Sequence, residues 1–221
     1  NSGVVLLSAV LEDNGDVEQR KEELALLLAL AESEASEDTN PDRMTVLRRE
    51  LEDALDLLQL NAPDSRVPFA DTIGALAKMR EAGMVRHIGL CNVTVSQIEA
   101  ALRIVPILTV QNRWNASDRS VESNGVLDFC QKNGLAFLAY SPFGGTRGAP
   151  ALGTFGKLAD LAKRRRVSPY RLLLAWMLAR SPAAFPLIGA RRPESIRDSA
   201  RATALHLEQR DLEAVAAALV P

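Results

Sequence analysis

From residue 45 onward, stretches with apolar positions three and four apart alternate with short, nearly continuous apolar runs. The first spacing marks one face of a helix, and the second marks a strand covered on both sides. Helices are predicted over 45–55, 69–82, 96–104 and 125–133, with Gly83 and Gly134 as stop signals. Strands are predicted over 56–60, 85–90, 106–110 and 135–140. A helix pair follows over 155–165 and 168–179, then a strand over 184–188 and two terminal helices that start near Pro193 and Glu208. Near the beginning, 4–10 reads as a strand and 22–31 as a helix. The alternation repeats about every 25 residues, which points to parallel βα units.

Periodicity does not separate a doubly wound sheet from a βα barrel. The polar residues add something. Asn61, Cys91 with Asn92, Gln111 with Asn112, Tyr140 with Ser141, and Gly189 with Arg191 all stand just past the C-terminal ends of successive predicted strands. In a barrel those ends form one ring, where active sites are built. The plainer reading is that loops begin there and polar residues begin with them.

Composition narrows the function classes. The chain has 221 residues, 47% of them hydrophobic, enough for a single domain spanning 1–221 with a sizeable core. Its net charge is −2 with both signs interspersed, so no general attraction to nucleic acid or to anionic lipid is expected. No apolar run approaches a bilayer span, and no basic segment precedes 4–7; a cytoplasmic protein is expected. Cys91 and Cys130 lack metal-site spacing, and two histidines add little, so neither a disulfide framework nor a metal site is expected.

The segments LLQLNAPD, ALAKMREAGMVRHIGLCNV, VQNRWN, LAYSPFGG and PLIGARRPESIRDSA resemble, in order, successive strand-end segments of the aldo-keto reductase family. The resemblance runs from about Thr45 to Ala218. It implies a (β/α)8 TIM barrel that holds NADPH in extended form across its C-terminal face, without a Rossmann glycine fingerprint; no GxGxxG occurs here. It implies that Asn92 and Gln111 bond the nicotinamide carboxamide, with Cys91 where many relatives have serine. An amide side chain suits that task because it both donates and accepts. Tyr140 matches the aromatic residue on which the nicotinamide stacks; a core tyrosine at a strand end is the alternative. Ser141, Pro142, Phe143 and Gly144 would run along the pyrophosphate, where glycine allows close backbone approach. Ala190, Arg191 and Ser195, following Gly189, would contact the 2′-phosphate, and Asp198 and Ser199 the adenine side.

One hint at the phosphate end is independent of the resemblance. Arg191 and Arg192 precede a helix that starts near Pro193, and cations at a helix N-terminus oppose its dipole. A bound anion would resolve the conflict; solvated loop arginines would leave it standing. The run AKRRR, 162–166, sits at a helix C-terminus where basic residues are favourable, and reads as a solvated cap. His87 opens its strand and so belongs to the stability face of a barrel, while His206 falls outside any candidate site.

Carbonyl reduction needs a hydride donor and a proton donor. Asn61 stands where the family usually has a histidine that orients the carbonyl; its amide donates a hydrogen bond but does not titrate near neutral pH. Asparagine there also resembles the potassium-channel β-subunit branch. The family's acid is a tyrosine with a partnering lysine, and the only tyrosines are Tyr140 and Tyr170, neither suitably placed. Six strands are predicted rather than eight. Either the numbering runs across segments absent from this sequence, or the N-terminal half has been rebuilt; the first is preferred, because an unclosed barrel leaves sheet edges bare. The expected function is NADPH-dependent reduction of a small aldehyde or ketone. The alternative is a weakly active or inactive NADPH-binding barrel acting as redox sensor, partner subunit or repurposed biosynthetic protein.

Overall fold

The computed structural model describes residues 55–153, 156–190 and 192–219. The predicted elements over 4–10, 22–31 and most of 45–55 lie outside the described residues. Those described gather into two compact units. The first holds the residues up to Cys91 together with Ser96–Leu108; the second holds Asn92–Val95 and the residues from Thr109 onward.

In the first unit, β1 (Leu57–Leu60) and β2 (His87–Cys91) pair in parallel, Leu57 opposite His87 and Leu60 opposite Leu90. Between them runs α1 (Phe69–Glu81), which buries Ile73, Ala77 and Met79. Its end is set as the sequence predicts. Gly83 has φ +75°, and the amides of Gly83 and Met84 reach the carbonyls of Arg80 and Met79 at 3.1 and 3.0 Å, a left-handed stop that glycine adopts without strain. Arg86 pairs with Asp56 at 2.7 Å where the two strands begin, a partly exposed contact of small energetic weight. His87 is exposed there. After β2 comes α2 (Val95–Leu102), with Ile98 and Ala101 buried.

The second unit is built on β3 (Ile107–Arg113), which belongs to it from Thr109 onward, β4 (Ala136–Tyr140) and β5 (Ala184–Pro186), all parallel. The order along the chain is α3 (Ser120–Ser123) and α4 (Val126–Lys132) before β4, then α5 (Gly145–Leu152), α6 (Gly156–Arg165) and α7 (Pro169–Arg180) before β5. Last come α8 (Pro193–Ala200), a 3-10 turn and α9 (Gln209–Ala218). Ser168 caps α7 through its side chain, accepting from the Arg171 amide, and a Glu208–Asp211 capping box opens α9. The core centres on Trp114, fully buried and in contact with Phe137 and Trp176 at ring separations of 6.1 and 5.9 Å. Both indoles have their N–H satisfied: Trp114 donates to Glu122 at 3.0 Å and Trp176 to the Leu212 carbonyl at 3.1 Å.

Three sequence expectations need adjustment. β3 extends to Arg113, so Gln111 and Asn112 lie within the strand rather than past its end. A buried Asn112 is tolerated there because its amide is paired, accepting from Val93 N at 3.1 Å and donating to Val93 O at 2.8 Å. Helix α5 has no counterpart in the sequence pattern, because GTRGAPAL is rich in glycine and proline. AKRRR is a cap only in part: Lys163 and Arg164 are exposed, but Arg165 pairs with Asp211 of α9. Cys91 and Cys130 are both buried, and burial pushes the Cys130 thiol up to about 12.

Candidate functional site

In the second unit, the residues after β2 and those ending β3 and β4 converge. Asn92 N donates to the Gln111 carbonyl at 3.0 Å. The Tyr140 hydroxyl donates to Asn92 Oδ1 at 2.8 Å, across 48 positions of sequence. This bond fixes the ring of Tyr140 at the C-terminal end of β4. Asn92 and Ser141 both have left-handed backbones, φ 57° and 51°. For residues with a side chain that conformation is disfavoured, and such strain concentrates at functional sites. Gln111 is buried while Asn92 is exposed, so the pair presents one shielded and one open amide. Arg113, beyond Gln111 on β3, lies over the Tyr140 ring with its Cζ 5.6 Å from the centroid.

Immediately after β4 the chain turns through Ser141, Pro142, Phe143 and Gly144 into α5. Gly144 N bonds the Ser141 carbonyl at 2.8 Å, and Gly144 and Gly145 have φ of 81° and 71°. The glycines serve more than positive φ. A Cβ on Gly148 would stand 2.9 Å from the Phe143 carbonyl oxygen, a backbone atom with little freedom to retreat. Phe143 meets Tyr170 edge to face at 5.1 Å, and the Tyr170 hydroxyl donates to the Ala149 carbonyl at 2.9 Å, which ties α5 to α7. Gly148→Ala is expected to destabilise the protein by about 1–3 kcal/mol through overpacking, seen as a lower urea midpoint. An unchanged midpoint would show that the loop relaxes freely.

The third cluster surrounds the start of α8, where Ala190, Arg192, Pro193, Ile196 and Arg197 line an open concavity of about 350 Å³. Arg192 is the residue that precedes the helix, and no side chain caps the first turn. Two exposed guanidinium groups therefore line one space beside the positive end of the helix. Ile196 is 53% exposed and offers an apolar surface beside them. Gly189 and Ser195 are exposed, Arg191 lies outside the described residues, and Ser199 is buried. Asp198 is engaged inward: its carboxylate pairs with Arg171 and accepts from Ser168, so it anchors α8 to α7. Asn61 and Cys91 belong to the first unit; Asn61 is exposed at the end of β1 and Cys91 is the buried last residue of β2.

Sequence reasoning singles out Asn92, Gln111, Tyr140 and the turn after it, and misses Arg113, Ile196 and Arg197. A signal for the last two is present: within the predicted helix, 193, 196 and 197 have the spacing that shares one face. Among the described residues, no group of three or more His, Cys, Asp or Glu could hold a metal ion, and no helix is long and apolar enough to cross a membrane.

A family model described as Aldo/keto reductase family matches residues 36–220. The chain belongs to the aldo/keto reductase family. The fold is the family's (β/α)8 barrel, of which β1 to β5 fall among the described residues. The ends of β3 and β4 that carry Gln111 and Tyr140 are therefore barrel strand ends, where enzymes of this architecture assemble their sites. The chain is 32% identical over 154 residues to an uncharacterised oxidoreductase of Schizosaccharomyces pombe, covering 69% of this chain and 48% of that protein. It is 32% identical over 163 residues to pyridoxine 4-dehydrogenase of Escherichia coli, covering 71% of this chain and 55% of the relative. Among solved structures, a thermostable aldo-keto reductase in complex with the inhibitor epalrestat matches with TM-score 0.68 at 29% identity, covering 80% of this chain and 66% of that one. An aldo-keto reductase from Klebsiella pneumoniae in complex with NADPH matches with TM-score 0.65 at 25% identity, covering 73% and 57%. This aldo/keto reductase chain spans about half the length of the curated relatives it matches.

Proposed function

We propose that this chain binds NADPH and serves the reduction of a small aldehyde or ketone to an alcohol. The observation that carries the reading is the Tyr140 ring, pinned by Asn92 at a barrel strand end beside Gln111. A flat ring held there suits stacking of a nicotinamide, and the two amides suit its carboxamide, which needs both a donor and an acceptor. Asn92 accepts from Tyr140 at Oδ1 and carries its donor at the other end of the same amide. Gly144 and Gly145 allow backbone close to a pyrophosphate. Arg192, Arg197 and the uncapped start of α8 suit a phosphate monoester, with Arg191 beside them in sequence, Ala190 and Ser195 at the rim and Ile196 beneath an adenine. When bound, NADPH supplies the hydride. The chain orients that ring.

A second reading, a barrel that binds NADPH with little turnover, draws on a specific observation. Both tyrosines of the sequence have committed hydroxyls, Tyr140 to Asn92 and Tyr170 to Ala149, so neither is poised as a proton donor. Two measurements on the chain test these readings. Quenching or energy transfer from Trp114 and Trp176 is expected at micromolar NADPH and at far higher NADH; binding of neither would overturn both readings. Carbonyl-dependent loss of NADPH absorbance then favours the reductase, and its absence favours the silent binder.

A further inference from the structure

Arg113 stands directly opposite Tyr140 in the parallel register of β3 and β4. Its side chain is exposed and lies against the Tyr140 ring, and no carboxylate among the described residues pairs with it there. A positive charge is thus fixed against the ring proposed to stack the nicotinamide, and the role inferred for Arg113 rests on that cofactor reading. The two redox forms of the cofactor differ at one place that matters for this charge. The reduced nicotinamide ring is neutral, whereas the oxidised ring carries a positive charge.

We propose that Arg113 weakens the binding of NADP+ relative to NADPH, and so favours departure of the oxidised cofactor after hydride transfer. The cation–π contact holds the guanidinium in place at little entropic expense. A neutral stacked ring is then tolerated, while a cationic one meets a like charge within about 10 Å, which corresponds to roughly threefold to tenfold in affinity at a partly screened site. With the guanidinium on one face of Tyr140 and the nicotinamide on the other, the charge acts across the ring. Release of product commonly limits turnover in well-evolved enzymes, so the discrimination bears on steady-state rate.

The test is a pair of dissociation constants, for NADP+ and for NADPH, measured on wild type, Arg113→Met, Arg113→Lys and Arg113→Glu. In Arg113→Met the ratio of the NADP+ constant to the NADPH constant is expected to fall roughly threefold to tenfold. Arg113→Lys should keep the wild-type ratio, and Arg113→Glu should lower it further. High salt should shrink the difference between wild type and Arg113→Met, because the interaction is electrostatic at an exposed site. A purely structural role would move both constants together and would not respond to salt in this way. Equal changes in both constants, or an unchanged ratio with binding intact, would overturn the role of Arg113 alone. Failure of wild type to bind either nucleotide would instead remove the cofactor reading beneath it.

Discussion

Arg192→Ala combined with Arg197→Ala is expected to weaken NADPH roughly 30- to 100-fold while leaving NADH within about twofold, read by direct titration of each nucleotide. Both guanidinium groups line the concavity at the start of α8, and the helix there has no side-chain cap. A dianionic phosphate placed in that space gains charge-assisted hydrogen bonds that a ribose hydroxyl does not. Partial exposure limits each contact to somewhat over about 1 kcal/mol, and each ~1.4 kcal/mol is a factor of ten. The positive end of the helix remains in the double variant, so binding is weakened rather than abolished. Equal weakening of the two nucleotides would take the phosphate away from this concavity. The same comparison with Arg191→Ala separates the contribution of the residue that precedes Arg192, whose placement lies outside the described residues.

The parts of this protein that depend on local chemistry are legible in the sequence. Alternating helical and apolar runs locate β1, β2, β4, α1, α4 and α7 to within a few residues, because each is bounded by a capping residue, a glycine stop or a short turn that acts on its own neighbours. The strand-end positions of Asn92 and Tyr140 follow from the same logic. What is not legible depends on partners far along the chain. β3 continues through three polar residues, one of which, Asn112, bonds the backbone of Val93, 19 positions away. Helix α5 forms from a sequence with poor helical propensity because Tyr170 holds Ala149 and glycine packs against glycine. Nothing near Asp198 in sequence announces its pairing with a guanidinium from α7. Arg113 carries no signal in the sequence, and its ring contact appears only in the fold. In each case the deciding interaction is tertiary, and no window of neighbouring residues contains it.

Glu122→Gln is expected to cost about 2–3 kcal/mol of stability at neutral pH, measured by urea denaturation. The carboxylate is 12% exposed and serves three partners at once: Trp114 Nε1 at 3.0 Å, Arg119 through two nitrogens at 2.6 and 2.8 Å, and Arg180 at 3.5 Å. Arg119 in turn lies over Trp176, 5.0 Å from its ring centroid. The acid thus fixes both indoles' surroundings, and an amide at this position keeps a hydrogen bond but leaves a half-buried guanidinium without its counter-charge. Burial by itself raises the Glu122 carboxyl, yet the hydrogen bonds from Arg119 and Trp114 and the charges of Arg119 and Arg180 outweigh it and hold the group below the ordinary glutamate range. The hydrogen bond to Glu122 likewise raises Arg119 above the usual arginine value. Because the folded value is depressed, the stabilisation is complete above the unfolded glutamate value of about 4.3 and is lost as pH falls below it through the folded value. Wild type and Glu122→Gln should therefore differ at pH 7 and converge in acid, with wild type losing the larger share of its stability. A difference that persists undiminished well below about pH 4 would mean that the charge is not what the indoles and Arg119 require, and that side-chain shape alone holds this corner of the core.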